Sequence, residues 1–234
     1  MSALSDAGLY LNDPLNWTET NGLLDRLVEH ITISAVATAA AAAIALPAAI
    51  WFGHTGRGGA FTVALSNVSR AVPTLALLTV FAVTPIGFGN RATTIALALF
   101  AIPPILTNTY VGFREVDRDI VESAGAMGMS PAQLILRVEL PLAVPAIMTG
   151  LRTAAVQVVA TATLAALVGG GGLGAPIVLG FGQQNDGLVL AAAFLVAVLA
   201  LLTEAVLVLV ARLVTPGPAA RRLPRRLRLR TEIV

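Results

Sequence analysis

Four stretches of this chain, residues 31–53, 71–90, 92–113 and 153–185, carry no aspartate, glutamate, lysine or arginine, and a fifth, 187–211, carries only Glu204. Each is as long as the ~20 mostly apolar residues that a helix needs to cross the hydrocarbon core of a bilayer. Charged residues make up only 12% of the chain against 56% hydrophobic, where a soluble domain carries about 25% charge. There is too little charge here to coat a water-soluble surface. The expected fold is an all-α membrane protein of about five transmembrane helices, near 30–52, 62–86, 92–112, 141–168 and 188–212. Arg70 sits early in the second span, which can therefore begin as an interfacial helix around 60–70.

The same composition excludes several chemistries. All fifteen basic residues are arginine, so there is neither a P-loop lysine nor a Schiff-base lysine. With no cysteine, disulfides, thiolate metal sites and cysteine nucleophiles are absent. His30 and His54 are too few for a histidine metal cluster, so no metal site is expected. An intramembrane enzyme needs paired catalytic groups at depth, but the spans hold no aspartate and both histidines lie at span edges. The run Gly169–Gly174 lacks the lysine of a phosphate loop and reads instead as a tight bend at the end of the fourth span. The chain is expected not to be an enzyme.

Arginine placement sets the expected orientation, because cytoplasmic segments retain positive charge. With the 112–141 loop inside, Arg57, Arg114, Arg118, Arg137, Arg212, Arg221, Arg222, Arg225, Arg226, Arg228 and Arg230 are cytoplasmic, and only Arg26 and Arg91 lie outside. The expected division is an extracytoplasmic polar N-terminus (1–29), a transmembrane domain (30–214) containing the 112–141 loop, and a basic cytoplasmic tail (215–234). The first 29 residues are polar and acidic and do not resemble a cleaved signal. The tail is read as an anchor to anionic lipid rather than as a nucleic-acid site.

One connection, 112–141, is long and charged. Ser130-Pro131-Ala132-Gln133 has the form of a capping box with proline in the first turn. It predicts a short helix over about 131–139, stopped by Pro141, with another over 115–127 and a break at Gly128. Leu134, Ile135 and Val138 recur at helical spacing and would face the bundle. Composition alone also admits a merely solvated hairpin. The residues resemble a longer signature, however: Glu122-Ser123-Ala124, Gly128 after three residues, then Val138, Glu139, Leu140 and Pro141 after nine more. This is similar to the cytoplasmic Glu-Ala-Ala motif of binding-protein-dependent ABC importer permeases, with Ser123 for alanine and Val138 for isoleucine. Arg70–Leu78, Asn108–Gly112, Val138–Met148 and Gly169–Gly174 resemble the osmoprotectant branch of that family, whose fold is that of the methionine-importer permeases.

The resemblance implies a permease subunit that imports glycine betaine, choline, carnitine or proline. It implies work with two ATP-binding subunits, a second permease subunit, identical or paralogous, and an extracytoplasmic substrate-binding protein. ATP would be bound by the partner ATPase, with no cofactor in this chain. Glu122, Ser123, Ala124, Gly128, Val138, Leu140 and Pro141 would form the ATPase-coupling surface, Glu122 making the polar contact. Other readings are a permease for a polar amino acid, or a multi-span scaffold or channel without an ATPase, for which the spaced signature has no use.

Polar groups within the spans complete the candidate set. Thr74, Asn108, Gln157, Thr161 and Thr163 are possible lining of a translocation path, the alternative being hydrogen bonds to their own backbone. Arg152 lies about 16 Å beyond Pro141, and Glu204 about 12 Å before Arg212, at 1.5 Å per residue. These similar depths on successive helices predict an Arg152–Glu204 pair, the alternative being separate snorkelling. Aromatics make up only 5% of the chain, too few for a cation–π cage, so tight recognition is expected on the binding protein.

Overall fold

The computed structural model describes residues 2–215, so the arginines of the expected basic tail lie outside the described residues. Helices α1 (Ala3–Asn12) and α2 (Pro14–Thr18) precede the first long helix, α3 (Leu23–Thr55). α3 is about 50 Å long at 1.5 Å per residue, and ends where Gly56 enters the left-handed region at φ 69°. The 1–29 segment is therefore largely helical. α1 packs on the last helix, where a Cβ on Gly187 would lie 2.7 Å from that of Asp6.

The core is a three-helix contact among α3, α6 (Asn90–Arg114) and α9 (Leu140–Thr161). α3 presents Ala37, Ala41, Ala45 and Ala49, each 0% exposed, as a stripe along one face. Small side chains at fourth positions let neighbouring backbones come close, the usual means of packing helices in lipid. Leu97, Ala101 and Ile105 of α6 and Ala154 and Val158 of α9 fill the space opposite. α6 and α9 approach closely too: a Cβ on Gly150 would stand 2.9 Å from Pro104 O, and one on Gly112 2.6 Å from Ala146 Cβ.

Two expected spans differ from their reading. The second is a pair, α4 (Gly59–Ala71) and α5 (Thr74–Ala82), bent by 85°. Pro73 has no N–H to give, and it forces Val72 into extended backbone at φ −82°, ψ 119°. In the loop, α7 (Arg118–Ala126) and α8 (Pro131–Leu134) form the expected hairpin, but Pro141 does not stop the second helix. α8 continues through a π-helical segment, Ile135–Glu139, into α9. Leu140 N–H donates to Ile135 O, five residues back. Widening the turn there absorbs the donor that Pro141 lacks. With the 3₁₀ segment Ala162–Val168 at its far end, the helical run covers 131–168 without a break. Gly169 (φ 70°) and Gly172 (φ 79°) then turn the chain into α10 (Gly174–Gly182) and α11 (Asp186–Val214). Among the described residues, four helical runs are long and apolar enough to cross a membrane, and a fifth if the bent pair counts as one.

Candidate translocation path and coupling surface

Within the 112–141 loop, α7 and α8 form a hairpin capped at both helix starts. Asp117 caps α7 by accepting from Asp119 N–H at 3.0 Å. Ser130 Oγ accepts from Gln133 N–H at 3.4 Å while Gln133 Oε1 accepts from Ser130 N–H at 2.8 Å, a closed capping box. Gly128 joins the two helices at φ 90°, where L side chains are strained. The signature splits by exposure. Glu122, Ser123 and Gly128 are exposed, Ala124 is buried, and Val138, Leu140 and Pro141 are half-buried against the bundle. Met127, 76% exposed, and Leu136 add an apolar component to the outward surface.

A residue inside this signature escaped the sequence reading. Glu139 is fully buried, with Oε2 2.6 Å from His54 Nδ1 on α3 and Oε1 3.6 Å from Arg118 Nη1 on α7. Its only sequence signal is a lone acid between Val138 and Leu140 at the edge of an apolar run.

Three of the five polar candidates converge. Thr74, Asn108 and Gln157 line one cavity of about 470 Å³ together with Ser66, Ser69, Thr107 and Thr153. It opens beside the 85° bend, between α4, α5, α6 and α9, and its lining among the described residues carries no Asp, Glu or Arg. Its volume lies within the usual range of small-molecule sites. Asn108 Nδ2 donates to Pro104 O at 2.8 Å, which fixes the amide against the wall. Thr107 Oγ1 is buried without a hydrogen-bond partner among the described residues. Thr161 and Thr163 do not line this cavity, and Thr163 Oγ1 donates to Ala160 O of its own backbone at 2.9 Å. Arg152 and Glu204 are brought together on α9 and α11, Nε to Oε1 at 3.2 Å.

Residues 22–216 match the family model of the binding-protein-dependent transport system inner membrane component. The chain belongs to that family. This permease is 35% identical over 209 residues to the choline transport system permease protein OpuBB of Bacillus subtilis (strain 168), covering 88% of this chain and 96% of that one. It is 39% identical over 184 residues to the carnitine transport permease protein OpuCB of Listeria monocytogenes, covering 79% and 84%. Its fold matches a chain of the MetNI methionine ABC transporter, solved in inward-facing conformations, with a TM-score of 0.72 at 24% identity, over 88% of this chain and 100% of that one. The permease is thus a multi-pass plasma-membrane component of an ABC importer and not an enzyme. Such a component works with an ATPase and a substrate-binding protein.

At the end of the permease far from the hairpin, a second polar network holds the glycine-rich turn. Glu29 accepts from Asn90 Nδ2 at 2.6 Å, from Gly172 N–H at 2.8 Å and from Arg26 at 3.1 Å. His30 Nε2 donates to Val159 O at 2.9 Å and Nδ1 accepts from Leu173 N–H at 3.2 Å. That pairing requires the neutral Nε2–H tautomer. Sequence alone places Glu29 and His30 only at the edge of the first span, because apart from Arg26 their partners lie 61 to 143 residues away.

Proposed function

We propose that the permease forms the path of an ATP-driven importer of osmoprotectants: glycine betaine, choline, carnitine or proline. The carrying observation is the convergence of Thr74, Asn108 and Gln157 on one cavity lined with hydroxyl and amide groups at the broken α4–α5 pair. Hydroxyl and amide dipoles on the walls suit a zwitterion or an alkylammonium ion that must pass and not lodge, since a strong site would slow release. Breaks in spanning helices beside a cavity are how transporters expose backbone and polar groups to a substrate. The names of the choline and carnitine permeases support the same substrate class. High-affinity recognition lies on the separate binding protein.

In this reading the N-terminus is outside and the hairpin and basic tail are cytoplasmic. Two ATP-binding subunits dock on the hairpins of two permease subunits, identical or paralogous. Glu122 with the neighbouring Met127 and Leu136 forms the docking surface, and Gly128 aims it. ATP is bound by the ATPase alone. Uptake of labelled choline, glycine betaine, carnitine and proline into proteoliposomes holding the full complex tests this. ATP-dependent uptake of at least one is expected. Uptake of a polar amino acid, or of methionine, in preference to all four overturns the substrate assignment.

A further inference from the structure

Glu139 stands at the last position of the π segment, where the hairpin runs into α9. One carboxylate there meets groups from two other elements. His54 Nδ1, in the last turn of α3, donates to Oε2 at 2.6 Å. Arg118, the first residue of α7, approaches Oε1 at 3.6 Å. The two contacts are not equivalent. The bond to α3 is closed, whereas that to α7 is an ion pair too long for a hydrogen bond. Arg118 Nη2 and Glu139 Oε1 are both buried without a hydrogen-bond partner among the described residues.

A buried charge with unfilled hydrogen-bonding capacity is unfavourable, and it rewards any movement that completes the pairing. α7 carries Arg118 at its start, and Glu122 on its exposed side is the proposed ATPase contact. α3 is held at the same level by packing of Gly53 on Phe113, with no room between them for a Cβ.

We infer that Glu139 is a positioning residue of energy coupling: when the ATPase presses on α7, Arg118 closes onto a carboxylate already fixed to α3 through His54. Hairpin displacement is then passed to α3 as well as to the 131–168 helix. Without the carboxylate the hairpin moves against the bundle instead of with it. The inference rests on the reading of the hairpin as the docking surface.

The test uses the reconstituted complex of permease, ATPase and binding protein, and reads substrate transported per ATP hydrolysed. Glu139→Gln keeps the shape and an acceptor for His54 but loses the charge that draws Arg118. Arg118→Met removes the partner from a less buried position and serves if Glu139→Gln fails to assemble. In each, transport per ATP is expected to fall at least about fivefold, the low end of usual site-to-site coupling, while hydrolysis continues. The double variant is expected to be no worse than either single one, because both break the same contact. Arg118→Lys, which keeps the charge, is expected to restore part of the ratio. Unchanged transport per ATP in an assembled Arg118→Met or Glu139→Gln complex overturns the inference, as do additive losses in the double variant. Glu122→Ala and Gly128→Val separate the two levels. If these uncouple the complex and Arg118→Met does not, the inference alone fails. If they leave transport and hydrolysis unchanged, the docking reading fails and takes the inference with it.

Discussion

Arg152 Nε and Glu204 Oε1 meet at 3.2 Å, the one on α9 and the other on α11, each about two-fifths exposed. In lipid, exposure is not hydration, so each charge relies on the other more than a surface pair in water does. Arg152→Ala and Glu204→Ala are each expected to lower thermal stability in detergent, and the double variant to recover part of that loss. A coupling of about 1–2 kcal/mol is expected, between the values of exposed and buried pairs. A double-mutant cycle measures it, and additive losses would mean that the contact contributes nothing.

The hairpin turn predicts a ranked series. Gly128 sits at φ 90° with open space around its Cα, so a substitution there is opposed by backbone strain and not by collision. Gly128→Val should cost about 1–2 kcal/mol locally and lower both transport and substrate-stimulated hydrolysis, with Gly128→Asn milder. Glu122→Ala should lower both without changing stability, since Glu122 is exposed. Transport, hydrolysis and melting temperature measured together decide whether fold or docking is lost.

Cavity variants should separate from those beside it. Asn108→Ala, Gln157→Ala and Thr74→Val alter lining groups and should change transport severalfold, a shift in substrate preference being the most specific outcome. Thr163→Val removes a hydroxyl bonded to its own backbone and should transport at nearly the wild-type rate. Equal losses in all four would argue against the cavity as the path.

Within the glycine-rich turn, Gly171 should not accept a side chain. A Cβ on Gly171 would overlap the Glu29 carboxylate, which Asn90, Gly172 and Arg26 hold in place. Gly171→Ala and Glu29→Ala should each destabilise by about 1–3 kcal/mol, the usual result of leaving partly buried hydrogen-bonding groups unpaired. Hydrogen exchange should rise over residues 169–174, and unchanged protection there would show that the network does not hold the turn.

Orientation can be read directly because the chain has no native cysteine. Leu15→Cys and Met127→Cys are both at well-exposed positions. A membrane-impermeant thiol reagent should label the first in intact cells and the second only after permeabilisation. The reverse pattern would invert the arginine-based topology.

How much of this was readable in one dimension depended on the range of the interaction. The spans were legible because an uncharged run of more than twenty residues is a local property, and the hairpin cap because Ser130 and Gln133 are three residues apart. The 85° bend was half legible: Pro73 marks a break, but its angle depends on what the two halves pack against. Pro141 misled, because a proline ends a helix unless the preceding turn widens, and nothing in Ile135–Glu139 announces a π turn. The cavity was legible as a set of polar residues but not as a grouping, and Thr161 and Thr163 looked no different from Thr74. Glu139 and Glu29 were missed for a common reason. Their partners are distant in sequence, and a single acid at the edge of an apolar run reads as an interface residue.

The alanine stripe of α3 has a mechanical consequence. Ala37, Ala41, Ala45 and Ala49 have no side-chain torsion to reset, whereas Leu or Ile would interlock with α6 and have to change rotamer for each step along it. α3 therefore adds no rotamer lock of its own over this stretch, and Leu97 and Ile105 of α6 stand across it. The close backbones resist pulling apart, while motion along the helix meets fewer rotamer changes than a leucine- or isoleucine-faced contact would impose. Small shear of α3 along α6 is favoured over separation, within the limit set where Gly53 seats on Phe113.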